Sequence, residues 1–192
     1  GKNLFLEAPT GLGKTLATLF PAVKALPRIG DGQIFYVTAK TPGRLAAADA
    51  LEKIRQSGAR VRSLMLTAKK KICFTDSPTG CDVRTCPYAL GYHDRIKPAV
   101  RELLTHDHLD RETVERVAQT HQVCPFELSL DASLWTDVIV GDFNYVFDPT
   151  ARLQRHFGEG PARHVVLIDE AHNLVDRSRE MHSASLRIED LA

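Results

Sequence analysis

The chain has 192 residues, 43% of them hydrophobic and 26% charged, and a formal net charge of +1. That balance fits a soluble globular protein with core enough for one ordinary domain, or one domain carrying an insertion. It gives no bulk electrostatic argument for nucleic acid or membrane, no apolar run approaches a membrane span, and residues 1–30 lack a secretory cleavage pattern.

Residues 3–6 form an apolar run that predicts a short buried strand. Glu7-Ala8-Pro9-Thr10-Gly11-Leu12-Gly13-Lys14-Thr15 follows, and the apolar spacing of 16–26 predicts a helix. Strand, glycine loop and helix in that order suit a phosphate-binding loop. Gly11 and Gly13 allow a tight turn that aims several N–H groups at one anion, and the helix adds its positive end. Lys14 would reach the outer phosphates, and the Thr15 hydroxyl would bind the magnesium carried by a nucleotide. The strict pattern has glycine where Ala8 stands, so the loop is a variant. A glycine-rich turn that merely joins strand to helix would share part of this pattern.

A second strand is expected over 33–38, nearly all apolar as in a parallel sheet covered on both faces. A helix over 44–56 and a third strand over 61–67 continue an α/β rhythm. The rhythm breaks at Ala68. Lys69-Lys70-Lys71 is followed by turn-rich sequence, then by helical patterns over 87–104, 110–119 with Asp110 as N-cap, and 124–134. Residues 69–136 are therefore read as a mostly helical insertion between lobe segments 1–68 and 137–192. Strands over 137–141 and 164–168 resume the pattern, with a short helix through Tyr145, a link at Asp148-Pro149 and a helix near 150–157 between them. The chain begins almost inside its first strand and lacks a clear end signal, as a piece of a longer protein would.

The last strand runs into Asp169-Glu170-Ala171-His172. Ligands of open α/β sheets collect at the carboxyl ends of strands. Asp169 would hold magnesium, in part through water. Glu170 would orient or deprotonate the attacking water, and His172 would couple the site to its surroundings. An acidic helix start would explain a lone carboxylate pair equally well. The joint presence of the glycine loop favours a nucleoside triphosphatase of helicase type.

All four cysteines, Cys73, Cys81, Cys86 and Cys124, fall in the helical segment, separated by seven, four and thirty-seven residues. Such clustering points to a metal site rather than disulfides. Four thiolates hold zinc or a [4Fe–4S] cluster, and the spacing leaves both open, with four reduced cysteines as a third reading.

Taken together, Ala8-Pro9-Thr10-Gly11-Leu12-Gly13-Lys14-Thr15, the Asp-Glu-Ala-His string and the cysteines between them resemble the first motor lobe of superfamily 2 DNA helicases, in the iron–sulfur branch that includes XPD and DinG. Lys71-Ile72-Cys73, Cys86-Pro87-Tyr88, Cys124-Pro125 and Asn144 to Pro149 resemble that family's landmarks in order, and 176–191 resembles its approach to an arch domain. The resemblance implies a RecA-like α/β lobe with ATP, magnesium and a 4Fe-4S cluster as cofactors. It further implies 5′ to 3′ translocation on single-stranded or forked DNA, a second RecA-like lobe and an arch domain elsewhere in the protein, and a role in DNA repair. The expected location is cytoplasmic and nucleoid-associated in a bacterium, nuclear in a eukaryote. DNA contacts are expected at Thr38, Lys40, Thr41, Lys70 and Arg84, with Lys69, Lys71, Arg95 and Lys97 as further cations. Phe74, Tyr88 and Tyr92 are placed to stack on bases or to fill a small core. Without the arginine of a second lobe, the chain alone is expected to hydrolyse ATP poorly. A nucleotide-gated, metal-stabilised binding module without unwinding activity is the alternative, and a zinc-stabilised ATPase without nucleic acid a third reading.

Overall fold

Residues 3–9, 12–75, 81–158 and 163–184 are described in the computed structural model. They form a five-stranded parallel sheet in the order β3-β2-β4-β1-β5. In chain order the elements are α1 (Lys14–Ala25), β1 (Ile34–Val37), α2 (Thr41–Gln56), β2 (Ser63–Met65), α3 (Lys69–Ile72), α4 (Tyr92–Leu103), β3 (His108–Leu109), α5 (Arg111–Thr120), α6 (Pro125–Ser133), β4 (Val138–Gly141), α7 (Asn144–Phe147), β5 (Val165–Ile168) and α8 (Asn173–Met181). This is the parallel α/β sheet that the strand–helix rhythm implied, in the RecA-like form that the family resemblance implied.

Strand β1 pairs with β4 through Ile34 and Val138, and with β5 through Ile34 and Val165. Its side chains alternate between the faces, as the period of a strand requires. Ile34 and Tyr36 enter the core under α1 and α2 with Leu19, Ala47, Leu51, Val138 and Val140. Phe35 enters the opposite core with Leu64, Leu66 and Ile139.

That second core reaches into the segment read as an insertion. Ala99, Leu103, Val114, Val117, Leu128 and Ala132, from α4, α5 and α6, pack in the same cluster as the sheet residues. The segment 69–136 also supplies β3, whose Leu109 pairs with Leu64. The helices of this mostly helical segment lie as a layer against the sheet, and the segment adds the edge strand. Arg62 fastens this layer at the base of the sheet, donating to the carbonyls of Leu104 (2.9 Å), His106 (3.2 Å) and Trp135 (3.3 Å).

Two further expectations differ. Residues 3–9 form no strand, and Leu4, Phe5 and Leu6 are exposed. A strand persists only by pairing, and among the described residues this one has no neighbour. Among the described residues strand β5 likewise pairs with β1 alone, and Val166 and Ile168 stay partly exposed. Residues 150–157 form successive turns and no helix, because long-range bonds interrupt the helical ladder. The N–H of Leu153 donates to the carbonyl of Tyr145 (2.9 Å), and Arg155 reaches Asp131 and, at 3.3 Å, Glu127 of α6. By contrast Asp110 caps α5 as expected, its Oδ1 accepting from the Thr113 N–H at 2.8 Å.

Below the sheet lies a buried polar network. The Gln33 amide nitrogen donates to the carbonyls of Ser133 (2.7 Å) and Thr136 (2.5 Å), so its oxygen is an acceptor. His156 Nδ1, 2.7 Å from that oxygen, must carry the hydrogen. His164 Nδ1 accepts the Gln33 backbone N–H at 3.0 Å, so its Nε2 donates to the His156 carbonyl at 2.9 Å. Burial, with the neighbouring His164 and Arg155 adding to it, pushes His156 down to about 4. The folded state thus resists a proton that the unfolded chain accepts near pH 6.5, and between those values the unfolded state binds more protons. We predict that stability is full above about pH 6.5 and falls as pH drops towards about 4, by up to about 3 kcal/mol. Thermal melts across that range check this, with His156→Asn expected to flatten the slope; an equal slope in both proteins would refute it.

Candidate nucleotide site

The carboxyl ends of β1 and β5 and the start of α1 meet at one place. Gly13 sits at the start of α1 with φ 72°, a conformation that costs glycine little. Among the described residues no side chain caps that helix, which leaves its first amides available to an anion. Lys14 and Thr15 follow, both half-buried. Ala8 is half-buried while Pro9 and Leu12 are exposed, and Thr10 and Gly11 lie outside the described residues.

Asp169 and Glu170 arrive on the end of β5. Asp169 is fixed by backbone and side chain alike: its N–H donates to the Val37 carbonyl (2.9 Å), and its Oδ2 accepts from Thr38 Oγ1 at 3.1 Å. Glu170 stands in the left-handed region at φ 50°, uncommon for a residue with a side chain and often found at working sites. Its Oε1 lies 3.4 Å from Lys14 Nζ. An exposed pair of this kind contributes little to stability. It does show that the lysine of the loop and the glutamate of the second motif share one space. His172 is exposed, with Nδ1 3.5 Å from Glu170 Oε2 and Nε2 3.1 Å from the Asn173 amide.

Two residues of this site were not legible as such. Tyr36 is buried on β1 with its hydroxyl 3.5 Å from Thr15 Oγ1. Burial pushes its phenol up to about 12, Thr15 works against that rise, and Asp169 and Glu170 reinforce it. A hydroxyl two places before Thr38, on the same face of an apolar strand, was the available signal. Gly43 in the first turn of α2 is the other. A Cβ there would fall 2.4 Å from Thr38 Oγ1 and 2.6 Å from Asp169 Oδ2. Only a glycine lets α2 approach the acidic group so closely.

The residues expected to touch DNA divide. Lys40, Thr41, Lys70 and Arg84 are exposed, Arg84 with a 3.2 Å pair to Asp82. Thr38 is buried and gives its hydroxyl to Asp169, so its side chain belongs to the acidic site and not to the outer surface. Arg95 donates to the carbonyls of Pro87 and Leu90, clipping a turn onto α4. Phe74 and Tyr88 pack edge-on at 4.9 Å, and the Tyr92 hydroxyl donates to Asp131 at 2.7 Å, which suits packing better than base stacking.

The cysteines lie at the end of α3, in the turns that follow residue 81 and at the start of α6, with Cys81 and Cys124 both beside Lys69. Cys73 closes α3 and Cys124 precedes α6, with its thiol pushed up by burial. Burial works to lower the Lys69 ammonium, but Cys81, Glu127 and Cys124 outweigh it and hold it raised. All four are free thiols. Among the described residues, no three metal-ligating side chains converge on one point. The donor chemistry fits a four-thiolate centre, but this arrangement of sulfurs does not form one.

The chain belongs to the DEAD_2 family, whose profile matches residues 47–191, and the DEAD/DEAH box helicase profile matches residues 1–84. It is 23% identical to human regulator of telomere elongation helicase 1 over 99% of this chain and 19% of that protein. The homologue of that helicase in Anopheles gambiae is 32% identical over 53% of this chain and 10% of its own length. A solved structure of truncated XPD superimposes with a TM-score of 0.63 at 23% identity, covering 93% of this chain and 50% of the other, which supports the fold. The chain spans a quarter or less of the curated relatives' length.

Gly43→Ala should destabilise the protein by about 1–3 kcal/mol, since the added methyl drives α2 off the Thr38–Asp169 pair. Thermal unfolding measures this, and an unchanged midpoint would contradict it.

Proposed function

We propose that this chain is the ATP-binding first lobe of a DNA helicase that moves 5′ to 3′ on single-stranded DNA. The observation that carries the reading is the meeting of Lys14 and Thr15 with Asp169 and Glu170 at the carboxyl end of a parallel sheet. The family membership supports it.

The groups present suit magnesium and ATP. Lys14 and the open start of α1 would take the outer phosphates, and Thr15 with Asp169 would hold the metal. Magnesium would neutralise developing phosphate charge. Glu170 now rests against Lys14. Once phosphate takes over the lysine, that carboxylate is released to orient or deprotonate the attacking water. Asp169 stays in place throughout, fixed by Thr38. Lys40 and Thr41 stand exposed at the start of α2, whose Gly43 touches the same pair, so a strand held there would sense the site directly. A second lobe and an arch domain elsewhere in the protein would complete the machine, and the lobe would add the arginine that raises phosphoryl transfer in related enzymes.

Cys73, Cys81, Cys86 and Cys124 are proposed to hold a 4Fe-4S cluster that stiffens the layer they belong to. No catalytic step runs through it.

In the full-length protein, Lys14→Ala and Glu170→Gln should each cut DNA-stimulated ATP hydrolysis by about 100-fold or more. ATP turnover that is indifferent to DNA, or to these changes, would defeat the reading. Lys40→Ala should weaken single-stranded DNA binding and reduce the salt slope by about one, read from titrations at several ionic strengths. Protein purified without oxygen should be brown, with visible absorption lost in Cys→Ser variants; a colourless zinc protein would overturn the cluster.

A further inference from the structure

We propose that Tyr36 is a positioning residue of the nucleotide site, whose hydroxyl holds Thr15 and Asp169 at the separation that one magnesium ion needs. The proposal rests on the reading of Thr15 and Asp169 as the metal-holding pair. Three features of the structure carry it.

The ring cannot move. Tyr36 is 2% exposed and packs in the cluster with Leu19, Ile34, Ala47, Leu51 and Val140, on a strand paired on both sides. Its hydroxyl is therefore a fixed point set by the sheet. That point falls between the loop end that carries Thr15, 3.5 Å away, and the strand end that carries Asp169, two elements that the exposed Lys14–Glu170 pair also links at 3.4 Å.

Asp169 is held by one hydroxyl of this strand and has a second beside it. Thr38 fixes Oδ2 at 3.1 Å, and Tyr36, two residues earlier on the same face, lies beside the same carboxylate. Together they restrict its rotation. Among the described residues the Thr15 hydroxyl has a long contact to Tyr36, which limits its position and leaves a lone pair for a cation.

The alternative is that Tyr36 merely fills the core, which its ring does in either case. Tyr36→Phe separates the two roles, since it keeps the ring and removes only the hydroxyl. In the full-length protein, ADP binding would be titrated calorimetrically in chelator and in magnesium, alongside thermal melting and the magnesium dependence of ATP hydrolysis. For Tyr36→Phe we expect unchanged melting and unchanged affinity for metal-free ADP. The gain in affinity on adding magnesium should fall about two- to tenfold, the worth of one hydrogen bond. The magnesium concentration at half-maximal hydrolysis should rise by a similar factor, with kcat at saturating magnesium nearly retained. Identical magnesium dependence in both proteins would overturn the proposal. So would a parallel loss of melting temperature and metal-free binding, which would make Tyr36 a packing residue. If the unaltered protein bound ADP without any response to magnesium, the underlying site reading would fail, and that outcome is visible before any variant is made.

Discussion

The position of Asp169 depends on one short strand. β1 hydrogen-bonds to β4 on one side and β5 on the other, and its residues alternate between two cores. Its last carbonyl receives the Asp169 N–H, and its next residue, Thr38, takes the carboxylate. On the proposed reading, in which Asp169 receives magnesium, holding the carboxylate in advance lowers the ordering cost of the binding step. The interior of the lobe provides that order, and Gly43 brings α2 into the same contact.

The two cores are unequal in kind. The core under α1 and α2 is built from lobe residues, with Leu19, Leu51 and Ile54 against Val138 and Val140. The other is shared between the sheet and the helices that lie among the cysteines. Arg62 joins that layer to the sheet through three carbonyls at the base, and Arg155 joins α6 to the connection before β5. Cys124 stands at the start of α6, so the thiol region and the Gln33–His156 network occupy opposite ends of one helix. A disturbance at the cysteines would reach the sheet through packed side chains and not through a hinge.

Much of this was legible in the sequence where periodicity was strong. The strands at 34–37 and 138–141 and the helix at 41–56 follow from near-continuous apolar runs and a 3.6-residue spacing. What failed did so for identifiable reasons. Residues 3–6 have the composition of a strand, but composition does not supply a partner. β3 is two residues long, too short for any period to show. The helix expected at 150–157 lost to bonds made by Leu153, Arg155 and His156 with distant residues. In the site, Lys14, Asp169 and Glu170 announce themselves by spacing. Tyr36 and Gly43 matter only through what β5 and α2 bring beside them, and that juxtaposition is written nowhere in the local sequence.

The strand order has a bearing on how the protein is made. Ile34 cannot pair with Val138 until more than a hundred further residues have left the ribosome, and β2 waits for the same strand. The helices that lie among the cysteines are synthesised in that interval. They can collapse on β2 first, through Leu64 and Leu109, and so shorten the loop that must close before β4 docks. Failure to assemble the thiol-bearing layer would then leave β1 and β2 without the strand that joins them, and the cost would appear as lost yield of folded protein before it appeared as lost activity.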